Sequence, residues 1–155
     1  MLNFRIANKN DLSDINKIAK QVHDLHVSLR DDLYKPHQEI ITASLFNQLL
    51  KEALVYIVEK DNIVVAYSVA YIRNVDLPIL VKRRIFFIDA LGVDSNYHRL
   101  KVGSFLMEEL ENLAINNNCD SIELQVASKN KNALKFYEKI GLNKKTHILE
   151  KKLIK

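Results

Sequence analysis

Residues 83–107, RRIFFIDALGVDSNYHRLKVGSFLM, join a nearly continuous apolar run to the start of an amphipathic helix pattern. The apolar run is typical of a strand that is buried on both faces. Gly103, one of only three glycines in the chain, follows the basic residues Arg99 and Lys101 at the turn into the helix. The stretch therefore predicts a buried strand, a tight basic turn and a helix.

The amino end of this predicted helix suits a phosphate group. Backbone N–H groups there lack helical acceptors, and the helix dipole favours an anion. Gly103 lets a phosphate approach the backbone closely, and Arg99 and Lys101 add positive charge. Neither the Walker pattern nor the three-glycine dinucleotide fingerprint is present. From these residues alone, an ordinary helix start with solvated basic side chains is an equal alternative.

Length and charge limit the class of protein. The chain has 155 residues, which suits one domain spanning 1–155. The formal net charge is +4, which is compatible with an anionic partner, but the basic residues are scattered. A nucleic-acid-binding protein usually shows a denser basic stripe, so nucleic acid is not the favoured partner.

Compartment signals are few. No apolar stretch has the length of a membrane span, and the first residues lack the pattern of a signal peptide. The single cysteine, Cys119, has no internal partner for a disulfide. We therefore expect a cytoplasmic protein without a membrane partner.

Periodicity along the chain predicts one mixed α/β domain whose central sheet carries helices on both faces. The element order is β-α-α-β-β-β-α-β-α-β. The predicted strands and helices cover, in chain order, residues 3–7, 12–29, 37–51, 53–60, 63–73, 84–93, 101–116, 121–127, 130–140 and 144–153.

A second motif, NKNALKFYEKIGL, occupies residues 130–142. It predicts a short helix that Gly141 ends as a C-cap residue. Read by themselves, Phe136 and Tyr137 are as expected for core aromatic residues.

Together the two motifs resemble the GNAT superfamily of acetyl-CoA-dependent N-acetyltransferases. The family's cofactor motif, Gln/Arg-x-x-Gly-x-Gly/Ala after a strand ending in V-D-P-x-Y, is similar to VDSNYHRLKVGSFL, residues 93–106. The family's later motif, N-x-x-A-x-x-F-Y-E-K-x-G-F, is similar in register to residues 130–142. The resemblance implies a mixed, mostly antiparallel GNAT-like sheet.

Two residues depart from the family pattern. His98 stands where Gln or Arg is usual, and Lys101 stands where the first glycine is usual. Lys101 must adopt a backbone geometry that glycine meets more easily, or the loop shifts. The chain also ends about fourteen residues after Gly141, sooner than many relatives, which implies an open acceptor site or one completed by a second subunit.

The resemblance implies direct transfer of acetyl from acetyl-CoA to a primary amine. The diphosphate is expected on the amides of residues 99–104, and Leu91 and Val93 are expected to offer main-chain contacts to the pantetheine arm, with Gly92 marking a bulge. The cofactor-binding residues so implied are Leu91, Val93, Arg99, Leu100, Lys101, Val102, Gly103, Ser104 and Asn130.

The resemblance also assigns catalytic roles. Tyr137 matches the family tyrosine that protonates the departing thiolate. Asp89 is the candidate base, since burial within an apolar strand would raise its pKa, with a water chain as the alternative. Arg30 and Tyr34 are weaker candidates for the acceptor site. No metal site is expected, because His23 and His26 have no further ligands grouped near them.

Two functions follow as expectations. The first is an N-acetyltransferase acting on an amine of a small molecule or of a protein or peptide. The alternative is a noncatalytic acyl-CoA-binding regulatory domain. The apolar loop around Pro78 is a candidate contact in a homodimer. The identity of the acceptor cannot be derived from the fold, because one fold hosts many acceptors.

Overall fold

The computed structural model describes all 155 residues and divides into two compact units, Met1–Gln125 and Val126–Lys155. Short 3-10 turns cover Lys9–Asp11 and Ser95–Tyr97. In the first unit the helices and strands are β1 (Leu2–Ile6), α1 (Leu12–Leu29), α2 (Ala43–Glu52), β2 (Leu54–Lys60), β3 (Ile63–Val75), β4 (Arg83–Val93), α3 (Val102–Asn116) and β5 (Ser121–Leu124). The second unit contains α4 (Lys131–Lys139).

The five strands form one mixed sheet in the order β1-β2-β3-β4-β5. Neighbouring strands are antiparallel from β1 to β4, and β5 runs parallel to β4. The β4–β5 connection passes through α3, as a parallel crossover requires. The sheet and its flanking helices confirm the predicted α/β fold class.

Alternating side chains of the sheet serve two separate cores. Tyr67 and Val69 of β3 belong to the cluster formed with α1 and α2. Their neighbours Ala66, Ser68 and Ala70 are fully buried but lie outside that cluster. Since successive strand residues point to opposite faces, these three small residues face the side that α3 covers.

Gly92 allows α1 to pack closely on β4. A Cβ built on Gly92 would lie 2.9 Å from Ile18 Cγ2, Val22 Cγ2 and Tyr67 Cε1. The expected bulge at Gly92 is wrong, because Gly92 pairs regularly with Tyr67. The irregularity falls at Asp89, where Val69 pairs with Ala90 and Ala70 pairs with Ile88.

Several element bounds differ from the sequence prediction. Helix α2 begins at Ala43 rather than residue 37, because the Thr42 hydroxyl accepts the Leu45 N–H at 3.1 Å and caps the helix there. Strand β5 stops at Leu124 rather than residue 127. The strand predicted over 144–153 is absent, and residues 143–155 form neither helix nor strand.

Two further observations concern surfaces. The loop between β3 and β4 is apolar and exposed, with exposed fractions of 90% at Ile79 and 80% at Val81. None of the helices combines the length and the apolar composition that a membrane crossing needs.

Candidate active site

The carboxyl half of β4 has an open edge. Strand β5 pairs with β4 only from Ile85 to Ile88, so residues 89–93 have β3 on one side and no strand on the other. Backbone groups directed to this edge are therefore not used by the sheet.

The register identifies which groups these are. The Asp94 N–H donates to the Val65 carbonyl at 2.8 Å, and bonded and non-bonded pairs alternate along an antiparallel ladder. Leu91 and Val93 therefore direct their N–H and C=O groups away from β3, toward the open edge. His98 Nε2 lies 3.0 Å from the Val93 carbonyl oxygen, a contact that sequence reasoning missed.

The turn after β4 is held by its own hydrogen bonds. The Asp94 carboxylate accepts the Asn96 N–H at 2.9 Å, and the Asp94 carbonyl accepts the Tyr97 N–H at 2.8 Å. The Ser95 N–H donates to Gln21 Oε1 at 2.8 Å, which ties the turn to α1. These hydrogen bonds hold the start of the strand-to-helix turn and attach the turn to α1.

Two residues of this turn have left-handed backbone conformations. Arg99 has φ of 63° and Lys101 has φ of 60°, a region that non-glycine residues adopt at a cost of about 1–2 kcal/mol each. Lys101, with ψ of 13°, is the N-cap residue of α3. The lysine therefore takes the conformation that the usual glycine would meet without strain.

The amino end of α3 leaves three amides without helical acceptors. The first helical bond runs from the Phe105 N–H to the Lys101 carbonyl at 3.0 Å, and no side chain caps the helix. The N–H groups of Val102, Gly103 and Ser104 precede that bond and have no acceptor four residues back within the helix. The buried Val102 side chain fixes this end against the core.

Positive charge surrounds these amides. Arg99 and Lys101 are exposed and form no ion pair. Leu100 lies between them and is 52% exposed. The sequence-predicted residues 99–104 therefore lie together, and their open N–H groups and two free cations can bind an anion.

Asp89 lies at the bulge of β4 and is exposed, so the burial expected for it is wrong. A bulge can redirect a side chain that a regular strand would bury. Burial, followed by the charge of Asp89, raises the pKa of Tyr67 to about 12. The same two causes raise the pKa of Tyr71, with a further contribution from Glu52. Asp89 thus acts electrostatically on two tyrosine hydroxyls.

The second unit holds Asn130 and Tyr137 on one short helix. Asn130 Oδ1 accepts the Ala133 N–H at 3.2 Å and caps α4. The Tyr137 ring packs against Phe136 with centroids 5.2 Å apart, and burial raises the pKa of Tyr137 to about 12. Gly141, with φ of 100°, ends the helix as predicted.

The residues predicted for the acceptor follow α1. Arg30 donates two hydrogen bonds to the Asp32 carboxylate, at 2.7 and 2.8 Å. The Tyr34 ring lies 6.1 Å from the His23 ring and 5.1 Å from the His26 ring. The two histidines are three residues apart in sequence, and that spacing gave no sign of their contact with Tyr34. No three His, Cys, Asp or Glu side chains group as metal ligands.

The same histidines anchor the loop after α1. His23 Nε2 lies 2.7 Å from the Lys35 carbonyl oxygen. Burial, and then the charge of His23, lowers the pKa of His26. The loop is therefore held to α1 through ring contacts and one hydrogen bond.

Solved structures of similar fold cover almost the whole chain. A mutant of the BH1408 protein from Bacillus halodurans superposes with a TM-score of 0.93 at 24% identity, covering 97% of this chain and 99% of that chain. The aminoglycoside N-acetyltransferase AAC(6')-Iy, in complex with CoA, gives 0.71 at 14% identity, covering 98% and 99%. At sequence identities of 24% and 14%, these structural similarities show the fold alone.

Sequence comparison shows the family. N-alpha-acetyltransferase 30 of Xenopus laevis is 36% identical over 55 residues, a match that covers 36% of this chain and only 20% of that curated relative. A model of the Acetyltransferase (GNAT) family matches residues 21–142. The chain therefore belongs to the GNAT acetyltransferase family.

Proposed function

We propose that this chain is an acetyl-CoA-dependent N-acetyltransferase that moves an acetyl group to a primary amine of a small molecule or a protein. The observation that supports this most is the set of three unpaired amides at the start of α3, flanked by Arg99 and Lys101. Family membership and the CoA complex of the structurally similar aminoglycoside N-acetyltransferase agree with it.

The chain offers distinct groups for each part of the cofactor. The amides of Val102, Gly103 and Ser104 would hold the diphosphate, with Arg99 and Lys101 neutralising its charge. The outward N–H and C=O of Leu91 and the outward N–H of Val93 would pair with the pantetheine arm as an added strand would, while the Val93 carbonyl already contacts His98. When bound, acetyl-CoA supplies a thioester whose carbonyl an amine can attack.

Tyr137 supplies the hydrogen bond to the departing sulfur. With a pKa of about 12, the phenol stays protonated throughout the physiological range. An ordinary thiol has a pKa of about 8.5, so complete proton transfer from this phenol to the thiolate is uphill. Tyr137 therefore acts mainly by stabilising the thiolate through hydrogen bonding.

Asp89 remains the candidate base, now as an exposed carboxylate at the bulge rather than a buried one. It can attract the ammonium form of the acceptor and receive a proton directly or through a water chain. Arg30 and Tyr34 are proposed to contact the acceptor from the loop after α1. The unpaired Cys119 supports a cytoplasmic location.

The test combines binding with turnover. Calorimetry measures CoA binding to the wild-type chain, and thiol release from acetyl-CoA is followed with aminoglycosides, polyamines and peptides bearing a free amino terminus. Binding with amine-dependent thiol release supports the proposal. Absence of CoA binding contradicts it, and binding without release from any amine would favour the noncatalytic acyl-CoA-binding domain.

A further inference from the structure

Arg73 of β3 lies on the ring of Phe87 in β4. The guanidinium carbon is 3.5 Å from the ring centroid, so the group is stacked on the face of the ring. Arg73 is exposed, whereas Phe87 is buried. A stacked guanidinium has its N–H donors in its own plane, so these donors point sideways from the ring and not into it. Phe87 therefore holds the cation in place and leaves its donors open to a ligand.

No group of the protein uses these donors. The Arg73 side chain donates no hydrogen bond and forms no ion pair. Arg84, on the neighbouring strand, donates instead to the Asn117 carbonyl at 2.8 Å and to Asn74 Oδ1 at 3.2 Å. Arg73 is thus oriented by an aromatic ring but not neutralised, which is the state expected of an arginine that binds an anion.

The carboxylates around Arg73 do not neutralise it either. Glu123, which pairs with Phe87 on β5, forms no ion pair with Arg73. Glu52, at the end of α2, accepts a hydrogen bond from Gln48 Nε2 at 3.1 Å. The positive charge of Arg73 therefore remains available to a ligand.

Arg73 and Asp89 lie on the same face of the sheet. Arg73 follows Tyr71 by two residues along β3, and Tyr71 packs against the core formed with α1 and α2. Burial, and then the charge of Asp89, raises the pKa of Tyr71, which agrees with an Asp89 carboxylate on that face. Phe87 precedes Asp89 by two residues, about 7 Å along a strand. An exposed cation and an exposed anion are therefore separated by a distance that one small molecule can bridge.

We propose that Arg73 binds a carboxylate of the acceptor, and that the acceptor is an amino acid whose amino group lies at Asp89. This inference rests on the proposed N-acetyltransferase function and names its substrate class. The planar guanidinium can bond both oxygens of one carboxylate, while Asp89 attracts the ammonium form of the amine. Each charge of the amino acid then meets a group of opposite charge.

Other amines fit these two residues less well. An aminoglycoside or a polyamine carries several cations, so one that is bound at Asp89 would bring further positive charge toward Arg73. A peptide amino terminus has a neutral amide where an amino acid has its carboxylate, and it would leave Arg73 without an anion. An amine that also carries a carboxylate satisfies both residues at once.

The first test compares ligands on the wild-type chain. Calorimetry, with CoA present, measures binding of glycine, leucine, β-alanine and 4-aminobutanoate, each against its own carboxamide. The carboxamide keeps the amine and replaces the negative carboxylate by a neutral group. The best-bound amino acid should bind at least about tenfold more tightly than its carboxamide, because only the carboxylate forms charged hydrogen bonds with Arg73. Spermidine and a neutral tripeptide serve as the competing classes of amine.

The second test changes the arginine. Arg73→Gln should remove the preference for the amino acid over its carboxamide, and Arg73→Lys, which keeps the charge but not the planar donors, should retain part of it. Arg83→Gln is the matched control, because Arg83 lies on the same face of β4, about 13 Å beyond Phe87, and forms no ion pair. In turnover, Arg73→Gln should raise KM for the amino acid at least about tenfold and leave kcat within about threefold. Circular dichroism checks that each variant is folded.

The outcomes separate this proposal from the proposed enzyme. Equal binding of amino acid and carboxamide by the wild-type chain overturns the Arg73 site without any variant. Tighter binding of spermidine or the tripeptide, or equal losses in Arg73→Gln and Arg83→Gln, overturns it as well. Preferential binding of an amino acid that depends on Arg73, without thiol release, supports the site and contradicts the enzyme. Thiol release from amines without preference for a carboxylate does the reverse.

Discussion

Ile18 of α1 lies against Gly92 of β4 so closely that a Cβ on the glycine would sit 2.9 Å from Ile18 Cγ2. We predict that Gly92→Ala lowers the free energy of unfolding by about 1–3 kcal/mol, because Ile18 and Tyr67 are both buried and must move. Urea denaturation measures the change. Ser44→Ala on the exposed side of α2 is the control, expected within about 0.5 kcal/mol of wild type. Equal stability of Gly92→Ala and wild type would show that α1 has room to shift.

The left-handed conformation of Lys101 gives a second prediction. Lys101→Gly should be about 1 kcal/mol more stable than Lys101→Ala, because only glycine adopts φ of 60° without strain. Both variants remove the same charge, so their difference isolates the backbone effect. At Lys51, in the last turn of α2, the order should reverse, since alanine is the better helix former. If Lys101→Ala and Lys101→Gly are equally stable, the left-handed backbone conformation at this position costs a non-glycine residue no free energy.

Arg5 gives a prediction about acid stability. Its guanidinium bonds both oxygens of the Asp11 carboxylate at 2.9 Å and also bonds Glu59. These hydrogen bonds lower the pKa of Asp11 below 3.8 and that of Glu59 below 4.5. Their stabilisation is therefore complete above those ordinary values and is lost as pH falls through the lower folded-state pKa values.

The variant that tests this pH dependence is Arg5→Met. It should lower the free energy of unfolding near pH 7 by about 2 kcal/mol, since Asp11 is buried and loses its cation. The free energy of unfolding should also vary less with pH between pH 5 and pH 2 than it does in wild type. Lys17→Met, which breaks an exposed pair with Asp14, should change stability by less than about 1 kcal/mol. If the free energy of unfolding of Arg5→Met falls with pH as steeply as that of wild type, other carboxylates cause the loss of stability in acid.

Tyr137 is predicted to act without ionising. Tyr137→Phe should reduce kcat about 100-fold while CoA binding, measured by calorimetry, stays within a few-fold. The difference between the ultraviolet pH titrations of wild type and Tyr137→Phe should show the Tyr137 phenol ionising near pH 12. Tyr56→Phe on β2, where the ring stacks on Phe4, is the matched control and should leave kcat unchanged. Ionisation of Tyr137 near pH 10 would show that burial does not raise the pKa of this phenol.

Asp89 couples to its two tyrosine neighbours. Asp89→Asn removes a negative charge that raises the pKa of Tyr67 and of Tyr71, so both phenols should ionise at lower pH. The same variant should lower kcat/KM for a cationic amine if Asp89 receives its proton. Titration shifts without any loss of kcat/KM would leave the base role to water.

Local patterns predicted most of the fold. The apolar run of β4, the helix period of α3 and the glycine cap of α4 each depend on neighbours in sequence, and each was found. Residues 99–104 were predicted as one site for the same reason. The bulge at Asp89 could not be predicted, because it depends on register with β3 and not on the residues of β4 alone.

Other misses have similar causes. The 144–153 segment has strand composition, but composition does not report whether a segment pairs with another strand, and this one forms no strand. The contact of His98 with the Val93 carbonyl depends on how the turn folds back, which spacing does not report. The start of α2 was predicted directly after Pro36, whereas the structure begins the helix after Thr42, whose side chain caps it.

The sheet order follows the chain order, with Ala66, Ser68 and Ala70 of β3 facing α3. As the chain leaves the ribosome, β1 to β4 and the first two helices can therefore assemble before α3 is synthesised. On that face the buried side chains of Val58 and Ile88, which pair with Ala66 and Ala70, lie beside the three small residues. A half-made domain therefore exposes apolar surface during translation until α3 covers it.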